Sequence, residues 1–514
     1  MIDRIRLGRR SLLSMLGGAI GASALAACSQ PAPASKPAES KPAAPSATSA
    51  PAAPAAQPAA TKPAGDAAKP ADKFQGIGGA QPTAVPTAAA AAGPLKNPQT
   101  LKAPKAKASS PTTLTFWQYV GFHVDTQKAI ADEFKKVDPN VTLEITAYPG
   151  LNEQRAAVKA ALAAGSATPD IIALEPGADS VEYYVNQGIF DFEKVFAEDP
   201  EYKASFWPNA LQLQTINGKV VSVPAVTNTV VVYYNKKLFA DNGVKVPETL
   251  QQLEEAAKVF QGKGIAPLMM AAGEDRNHPI FPLYTMAGGM KIDGLLREAD
   301  LGQRSWTDPQ LMEAAALAER VVKAEYMIKN AVGIKQTDGF PIFANGQAAM
   351  FWGGQWMRTS IRAALKEKPD FDLGIFPFPA VIPNGPKPVL SSLGITLSVN
   401  TKSKNVDLSF EMIKALTGLW GKIEYSRGLG ISPNGPISPE AIAYQMEKLQ
   451  DPIYPEFLKL QPTGTTRILF TPAVQEALYQ GWQGVFAGRK DAKTVMEETE
   501  AASKKAGERK FKVG

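Results

Sequence analysis

Cysteine and histidine, whose side chains serve as nucleophiles, general bases and metal ligands, are scarce in this chain. Its 514 residues include one cysteine, Cys28, and two histidines, His123 and His278. A single thiol cannot close an internal disulfide, and two imidazoles cannot build a His-rich zinc site. Neither H-E-x-x-H nor G-x-S-x-G occurs in the sequence, and no motif indicates a cofactor. We therefore expect no disulfide, no cysteine nucleophile and no metal site in residues 112–514.

The N-terminal part differs from the rest in composition and charge. Residues 29–111 contain 27 alanines and 16 prolines, and such a segment cannot bury a core, so we expect a disordered tether. The whole chain carries a net charge of +6, of which residues 1–111 carry +9 and residues 112–514 carry −3. Because the basic charge lies outside the folded part, nucleic-acid binding is disfavoured. The remaining 403 residues suffice for two domains or one two-lobed domain.

The first 28 residues have the pattern of an export signal. Four arginines at positions 4, 6, 9 and 10 precede a glycine-interrupted apolar run, residues 12–27, which is shorter than the about 20 residues of a spanning helix. The run ends in Leu-Ala-Ala-Cys, which resembles a bacterial lipobox, and Arg9-Arg10 resembles a twin-arginine signal. The sequence thus predicts an extracytoplasmic protein, periplasmic or on the cell surface, anchored to the membrane through lipidated Cys28. An ordinary signal peptide with a chance cysteine is the alternative.

Strands and helices alternate along the rest of the chain. Apolar residues alternate around Leu114 and Phe116 and again from Val141 to Ile145, and residues 152–164 between the second strand and Ile171–Leu174 have helical spacing. This order of strand, helix, strand, helix, strand is typical of a parallel sheet. Mixed strands and amphipathic helices continue to the last residues. The pattern predicts an α/β protein with two lobes.

Several short motifs occur in an order typical of one family. The motifs are Leu114-Thr115-Phe116-Trp117, Gly165 to Ile172, Asn217-Gly218-Lys219 with Val223-Pro224, Tyr233 to Phe239, Phe343 to Met350 with Gly354-Gln355-Trp356, and Gly394-Ile395. In this order of motifs, the core resembles the family 1 extracellular solute-binding proteins of ABC importers, such as the maltose-binding and glycerol-phosphate-binding proteins, over essentially its whole length.

The resemblance implies a type II periplasmic-binding-protein fold with a ligand cleft and a multi-segment hinge. It places lobe 1 in residues 112–225 and 395–450, and lobe 2 in residues 226–394 and 451–514. The chain would cross between lobes near Val223–Thr229, Ser391–Ile395 and once more between residues 430 and 462. Hinge closure would trap the solute and present the closed form to the permease.

The resemblance also selects candidate ligand-binding residues. A pyranose ring offers an apolar face that stacks on aromatic rings, and hydroxyls that pair with carboxylates, amides or arginine. Glu175 follows a strand, where parallel sheets place ligands, and Asp275 to His278 precede Phe281 and an expected turn at Gly288-Gly289. The full candidate set is Tyr119, Glu175, Asn228, Asp275, Arg276, His278, Trp352, Gly354, Trp356 and Gly394.

The resemblance therefore implies a lipid-anchored, monomeric solute-binding component of an ABC importer, with no enzymatic activity, no catalytic residue and no cofactor. Its expected partners are a small solute, the permease subunits and the membrane. A saccharide is the favoured solute. A glycerophosphodiester, a polyamine or a peptide is the alternative within this class. A polysaccharide hydrolase is the alternative from another class, because Glu175 and Asp275 could act as paired carboxylates.

Overall fold

The computed structural model describes residues 101, 103–164, 169–273, 278–429, 432–435, 453–460 and 468–514. Thirteen strands lie in these ranges: β1 (Thr112–Gln118), β2 (Val141–Ala147), β3 (Ile171–Leu174), β4 (Thr215–Ile216), β5 (Lys219–Val220), β6 (Val223–Pro224), β7 (Val226–Asn235), β8 (Ala266–Met270), β9 (Ala348–Gly354), β10 (Leu373–Phe376), β11 (Leu390–Leu393), β12 (Thr396–Val399) and β13 (Ser432–Pro433).

Eighteen α-helices accompany them in the same ranges: α1 (Val124–Phe134), α2 (Leu151–Ala164), α3 (Ala178–Val185), α4 (Glu193–Glu198), α5 (Pro200–Ala204), α6 (Pro208–Gln212), α7 (Lys236–Asp241), α8 (Leu250–Gln261), α9 (Phe281–Gly289), α10 (Asp293–Asp300), α11 (Pro309–Lys323), α12 (Gln336–Ala344), α13 (Arg358–Ala364), α14 (Val406–Thr417), α15 (Leu419–Leu429), α16 (Tyr454–Leu460), α17 (Pro472–Phe486) and α18 (Ala492–Lys505). Short 3-10 turns lie at Gly121–His123, His278–Ile280, Ala331–Gly333 and Gln355–Met357. Within the described ranges, no helix combines the length and apolar character needed to cross a bilayer.

Two sheets organise the described chain. The first has the order β2-β1-β3-β12-β6, with β1 parallel to β2 and β3 and with β12 antiparallel to β3 and β6. The second has the order β10-β7-β9-β8, and β11 and β13 also pair with β7. The pair β8 and β9 is parallel, whereas β7 runs antiparallel to its partners. The parallel rhythm predicted from the sequence corresponds to the first sheet.

Local sequence accounts for most of these elements. In β1 the alternating residues Leu114 and Phe116 are buried, as expected for a strand with one face on a core. In α8 the residues Leu250, Leu253 and Phe260 are buried on one face, and the Thr249 hydroxyl caps the helix by accepting the Gln252 N–H at 3.3 Å.

The folded part begins earlier than the composition indicates. The backbone N–H of Ala108 donates to the Asp138 carboxylate at 2.8 Å, and the Asn140 amide donates back to the Ala108 carbonyl at 2.9 Å. Ala108 is buried with the core of the first sheet, and Leu101 packs against the same core. The prediction of a tether up to Pro111 is therefore wrong for its last residues, because two polar side chains after α1 hold that backbone.

Candidate functional site

Two adjacent chain crossings connect the sheets. One leads from β6 in the first sheet into β7 in the second, and the other leads from β11 back to β12. The Ala225 N–H donates to the Ile395 carbonyl at 2.9 Å, and the Gly394 N–H donates to the Val226 carbonyl at 2.8 Å. The crossings are thus bonded to each other where the polypeptide passes between the sheets.

Gly394 makes this close crossing possible. A Cβ at this position would lie 2.5 Å from Val226 Cγ2 and 2.9 Å from Asn228 Nδ2, closer than real Cβ contacts allow. Asn228 is half-buried on β7, opposite Ser392 of β11. We conclude that Gly394 serves the packing of the crossing.

A polar pair lies at the carboxyl edge of the first sheet. Tyr119 directly follows β1 and Glu175 directly follows β3, and these two strands are parallel neighbours. The Tyr119 hydroxyl donates to Glu175 Oε2 at 2.8 Å. Both residues are half-buried. This is the edge where open α/β sheets bind ligands.

A buried ion pair supports the loop that carries Glu175. Arg155 Nε donates to Asp179 Oδ1 at 2.7 Å, and the Glu175 backbone N–H donates to Asp179 Oδ2 at 3.2 Å. Burial acts to lower the pKa of Arg155, but the Asp179 charge outweighs it and holds the pKa above its ordinary value. The ion pair between α2 and α3 therefore holds the backbone N–H of Glu175 in place.

An aromatic cluster lies at the end of β9 in the second sheet. Trp356, in the 3-10 turn after β9, is half-buried and packs against core residues of both sheets. Its ring stacks on His278 with centroids 5.6 Å apart at 28°, and it meets Phe281 edge-on at 6.2 Å. Its indole Nε1–H donates to Gln336 Oε1 at 2.8 Å.

Gly354 leaves the space that this indole occupies. A Cβ at Gly354 would lie 1.9 to 2.2 Å from three ring atoms of Trp356. The Gly354 carbonyl accepts a hydrogen bond from the buried Tyr233 hydroxyl at 2.9 Å. A residue without a side chain is therefore required beneath the Trp356 ring. The hydrogen bond from Tyr233 holds this end of β9 in place.

Comparison with known proteins decides the family. The model of the family described as bacterial extracellular solute-binding protein matches residues 123–418, more than half of the chain. The chain belongs to this family. The predicted family resemblance is confirmed.

Curated relatives of this solute-binding protein carry sugar-binding names. The multiple sugar-binding protein of Streptococcus mutans is 23% identical over 361 residues, which are 70% of this chain and 79% of the relative. The diacetylchitobiose binding protein of Streptomyces coelicolor is 26% identical over 331 residues, which are 63% of this chain and 73% of the relative.

Solved structures have the same fold. A chitin oligosaccharide binding protein matches with a TM-score of 0.66 at 20% identity, covering 78% of this chain and 99% of that chain. A maltose-bound binding protein of T. maritima matches with a TM-score of 0.63 at 19% identity, covering 76% and 99%. The solute-binding protein therefore has the two-lobed α/β fold of type II periplasmic binding proteins, as predicted.

The structure corrects one of the predicted site residues. Trp352 of the solute-binding protein is 2% exposed, and its ring lies 4.4 Å from that of Phe378 in the core of the second sheet. The side chain is buried because β9 lies between β7 and β8 and all seven of its residues are covered, whereas Trp356 lies beyond the strand end. The prediction of Trp352 as a ligand contact is wrong for this reason. Gly288-Gly289, predicted as a turn, ends the helix α9 instead.

Of the other predicted residues, Asn228 and Gly394 lie at the crossing and Gly354 lies beneath Trp356, and four more form two pairs. Tyr119 and Glu175 are brought together at one sheet edge, and His278 and Trp356 are brought together at the end of the other sheet. Asp275, Arg276 and Cys28 lie outside the described residues.

Sequence reasoning missed the residues that support these two groups. They are Arg155, Asp179, Phe281 and Gln336. Arg155 could have been noticed, because it lies on the buried face of α2 together with Leu151 and Val158, where a charged residue needs a partner. Gln336 gave no signal, since it is one polar residue at a helix start.

Proposed function

We propose that this solute-binding protein captures a saccharide outside the cytoplasm and delivers it to an ABC permease. The observation that carries the proposal is the half-buried Trp356 indole, which packs against the cores of both sheets beside His278 and Phe281. A flat aromatic surface at such a position suits the apolar face of a pyranose ring.

The polar pair supplies the complementary chemistry. Glu175, at the carboxyl edge of the first sheet, is a hydrogen-bond acceptor for sugar hydroxyls, and Tyr119 holds one of its oxygens. The sugar-binding names of the two curated relatives support the same class of solute. We infer that Tyr119 and Glu175 bind hydroxyls while Trp356 stacks on the ring.

Capture requires the lobes to close, and we propose that they turn about the bonded crossings at Ala225–Val226 and Gly394–Ile395. Lobe 1 would comprise residues 112–225 and 395–450 and lobe 2 residues 226–394 and 451–514. The pairing of β13 with β7 supports a third connection beside the first two. Binding does no chemistry on the solute in this proposal, so the protein acts without catalysis and as a monomer.

We also propose that the protein is lipid-anchored at Cys28, with residues 29–100 as the tether. The lipobox-like Leu-Ala-Ala-Cys sequence and the Ala/Pro-rich composition support this arrangement. A tether of this kind would let the folded part reach a permease in the same membrane.

The test is calorimetric titration of the purified protein with maltotriose, xylotriose and diacetylchitobiose. We expect one of these sugars to bind, and Trp356→Ala to weaken its binding ten- to a hundredfold, which corresponds to about 1–3 kcal/mol of lost stacking and buried area. The variant should stay folded, because the indole is only half-buried.

Trp207→Ala is the matched control, since Trp207 is also half-buried but packs against a different cluster. It should leave the affinity unchanged. If Trp356→Ala lowers the melting temperature strongly but binds the sugar normally, Trp356 belongs to the core and the site assignment is wrong. Binding of a glycerophosphodiester, spermidine or a peptide instead of any sugar contradicts the saccharide proposal, and cleavage products would indicate a hydrolase.

A further inference from the structure

The side-chain amide of Gln336 lies at the edges of the two stacked rings of the aromatic cluster. Its Oε1 accepts the Trp356 Nε1–H at 2.8 Å, and its Nε2 lies 3.5 Å from His278 Nε2. The rings of His278 and Trp356 are stacked at 28°. One amide thus bonds to the edges of both rings.

The bonding of His278 fixes which way this amide points. His278 Nδ1 lies 3.2 Å from the Ala271 carbonyl, and a carbonyl only accepts, so Nδ1 carries the proton. In the neutral ring Nε2 is then an acceptor, and it takes the N–H of Gln336. The Gln336 oxygen is consequently left facing Trp356, which can only donate. In this series of hydrogen bonds, each donor therefore faces an acceptor.

The backbone of Gln336 is held by the same sheet as Trp356. Gln336 is the first residue of α12, whose start is fixed by the Lys335 N–H bonding to Asp338 Oδ2 at 3.3 Å. One turn later, Gly339 packs so closely on β9 that a Cβ would lie 2.8 Å from the Phe351 ring. The amide therefore projects from an anchored helix start.

We propose that Gln336 is a positioning residue for saccharide binding, which fixes the plane of the Trp356 indole through one hydrogen bond and the partner ring of His278 through another. This inference rests on the proposed function, because it assigns Gln336 a role in the site where Trp356 stacks on the sugar. Without the amide, the indole has to be ordered when the sugar binds, and ordering a side chain costs affinity.

Two substitutions separate the two bonds. Gln336→Met keeps the shape and removes both hydrogen bonds. Gln336→Glu keeps an acceptor for the indole and removes the N–H that bonds to His278. We expect Gln336→Met to bind the sugar about three- to tenfold more weakly. Gln336→Glu should lose less affinity than Gln336→Met, because the hydrogen bond to the indole is kept.

The first readout is the ¹⁵N–¹H spectrum of the tryptophan side chains, which requires no ligand. The Trp356 Nε1–H resonance is assigned by its loss in Trp356→Phe. In Gln336→Met it should shift upfield and exchange faster with water, and in Gln336→Glu it should stay downfield. Gln310→Met is the control, because Gln310 lies exposed in the first turn of α11, and it should leave the resonance in place.

The second readout is a double-mutant cycle with the tightest-binding sugar of maltotriose, xylotriose and diacetylchitobiose. Gln336→Met should cost no further affinity when Trp356 is already alanine. An equal loss in both backgrounds would mean that Gln336 contacts the sugar directly, and an unchanged indole resonance would mean that it does not hold the ring. Either result overturns the proposal. If Trp356→Ala binds the sugar with unaltered affinity while Gln336→Met shifts the Trp356 indole resonance, the assignment of the sugar site is overturned instead.

Discussion

The tryptophan ring at the end of β9 depends on the absence of a side chain beneath it. Gly354 contributes no Cβ, and the Trp356 ring occupies that volume. The ring is then bonded at its edge by Gln336 and stacked on His278. Three different residues thus determine one orientation, and a change at any of them is transmitted to the indole.

Gly354→Ala should therefore impair saccharide binding. The new methyl group would lie about 2 Å from ring atoms of Trp356, and the indole has to leave its stack and its hydrogen bond. Overpacking of this kind typically costs about 1–3 kcal/mol, so we expect an affinity loss of about ten- to a hundredfold in a calorimetric titration.

Gly294→Ala is the control for this substitution. No atom lies within 4 Å of a Cβ at Gly294, which is in α10. Because alanine favours a helix over glycine, the control should bind normally and be equally or more stable. Normal affinity of Gly354→Ala, with the indole resonance in place, would refute the packing argument.

At this scale, the strand-end rule selected Glu175 from the sequence. The structure places the Tyr119 hydroxyl oxygen 2.8 Å from Glu175 Oε2, a pairing that was not predicted. The burial of Trp352 was not predicted, because the sequence does not show that every residue of β9 is covered by other elements. Gln336 and Trp356 are 20 residues apart, and only the packing of α12 on β9 brings them together.

Among the elements, those with one buried face were predictable from the sequence. The helix predicted over residues 152–164 and the strand Ile171–Leu174 occur where the spacing indicates. The helix α9 was not predicted, because all nine of its residues are buried and no polar face marks the helical period. Burial on all sides removed the signal, and Gly288-Gly289 indicated a turn.

The helix α15 carries a buried amine with an unusual environment. Lys422 is 1% exposed, its Nζ donates to the Ser205 carbonyl, and it lies 5.2 Å above the Phe206 ring. Burial lowers the pKa of Lys422 to about 7. Above about pH 7 the folded protein therefore favours the neutral amine. This amine bonds α15 to the segment between α5 and α6.

Lys422 should make the stability depend on pH in a defined direction. Between pH 7 and the ordinary lysine pKa of 10.5, the unfolded chain binds a proton that the folded protein does not. The free energy of unfolding therefore rises with pH in this window, by up to about 1.4 kcal/mol per pH unit. Below pH 7 both states are protonated and the contribution is constant.

Lys422→Met removes this dependence. In denaturant unfolding at pH 7, 8.5 and 10, the stability of the variant relative to the unmodified protein should be highest at pH 7 and should decrease towards pH 10. Lys263→Met, which changes an exposed lysine, is the control. If both variants show the same pH profile, the amine of Lys422 is protonated in the folded protein and the interpretation of its burial is wrong.

For the whole molecule, residues 507–514 connect parts of the chain that belong to different cores. The preceding helix α18 packs in the core of the second sheet through Val495 and Met496. Beyond it, Val513 pairs with Ile216 of the β4–β5 hairpin, and Phe511 and Val513 pack against the cluster that contains Ile172 of β3. We call this segment the strap.

The bonds of the strap are numerous for its length. The Asn217 N–H donates to the Lys512 carbonyl at 2.8 Å, the Lys512 N–H donates to Asn217 Oδ1 at 2.8 Å, and the Gly514 N–H donates to the Thr215 carbonyl at 3.1 Å. Nearer to α18, Arg509 Nε donates to the Asp300 carbonyl at 3.1 Å. If one sheet rotates relative to the other about the crossings, the hydrogen bonds of the strap have to lengthen or the strap has to move with one of the sheets.

Removal of residues 507–514 should therefore loosen the molecule. We expect a lower melting temperature, because two apolar side chains and a strand pairing are lost, and a larger radius of gyration of the sugar-free protein in small-angle scattering. Saturation with the bound sugar should remove most of the difference in radius, since closure is then imposed by the ligand.

Phe511→Ala with Val513→Ala should reproduce the effect in part, whereas Lys512→Ala, which keeps the backbone bonds and changes an exposed side chain, should not. Equal radii of the truncated and full-length proteins without sugar would mean that the crossings alone set the arrangement of the lobes.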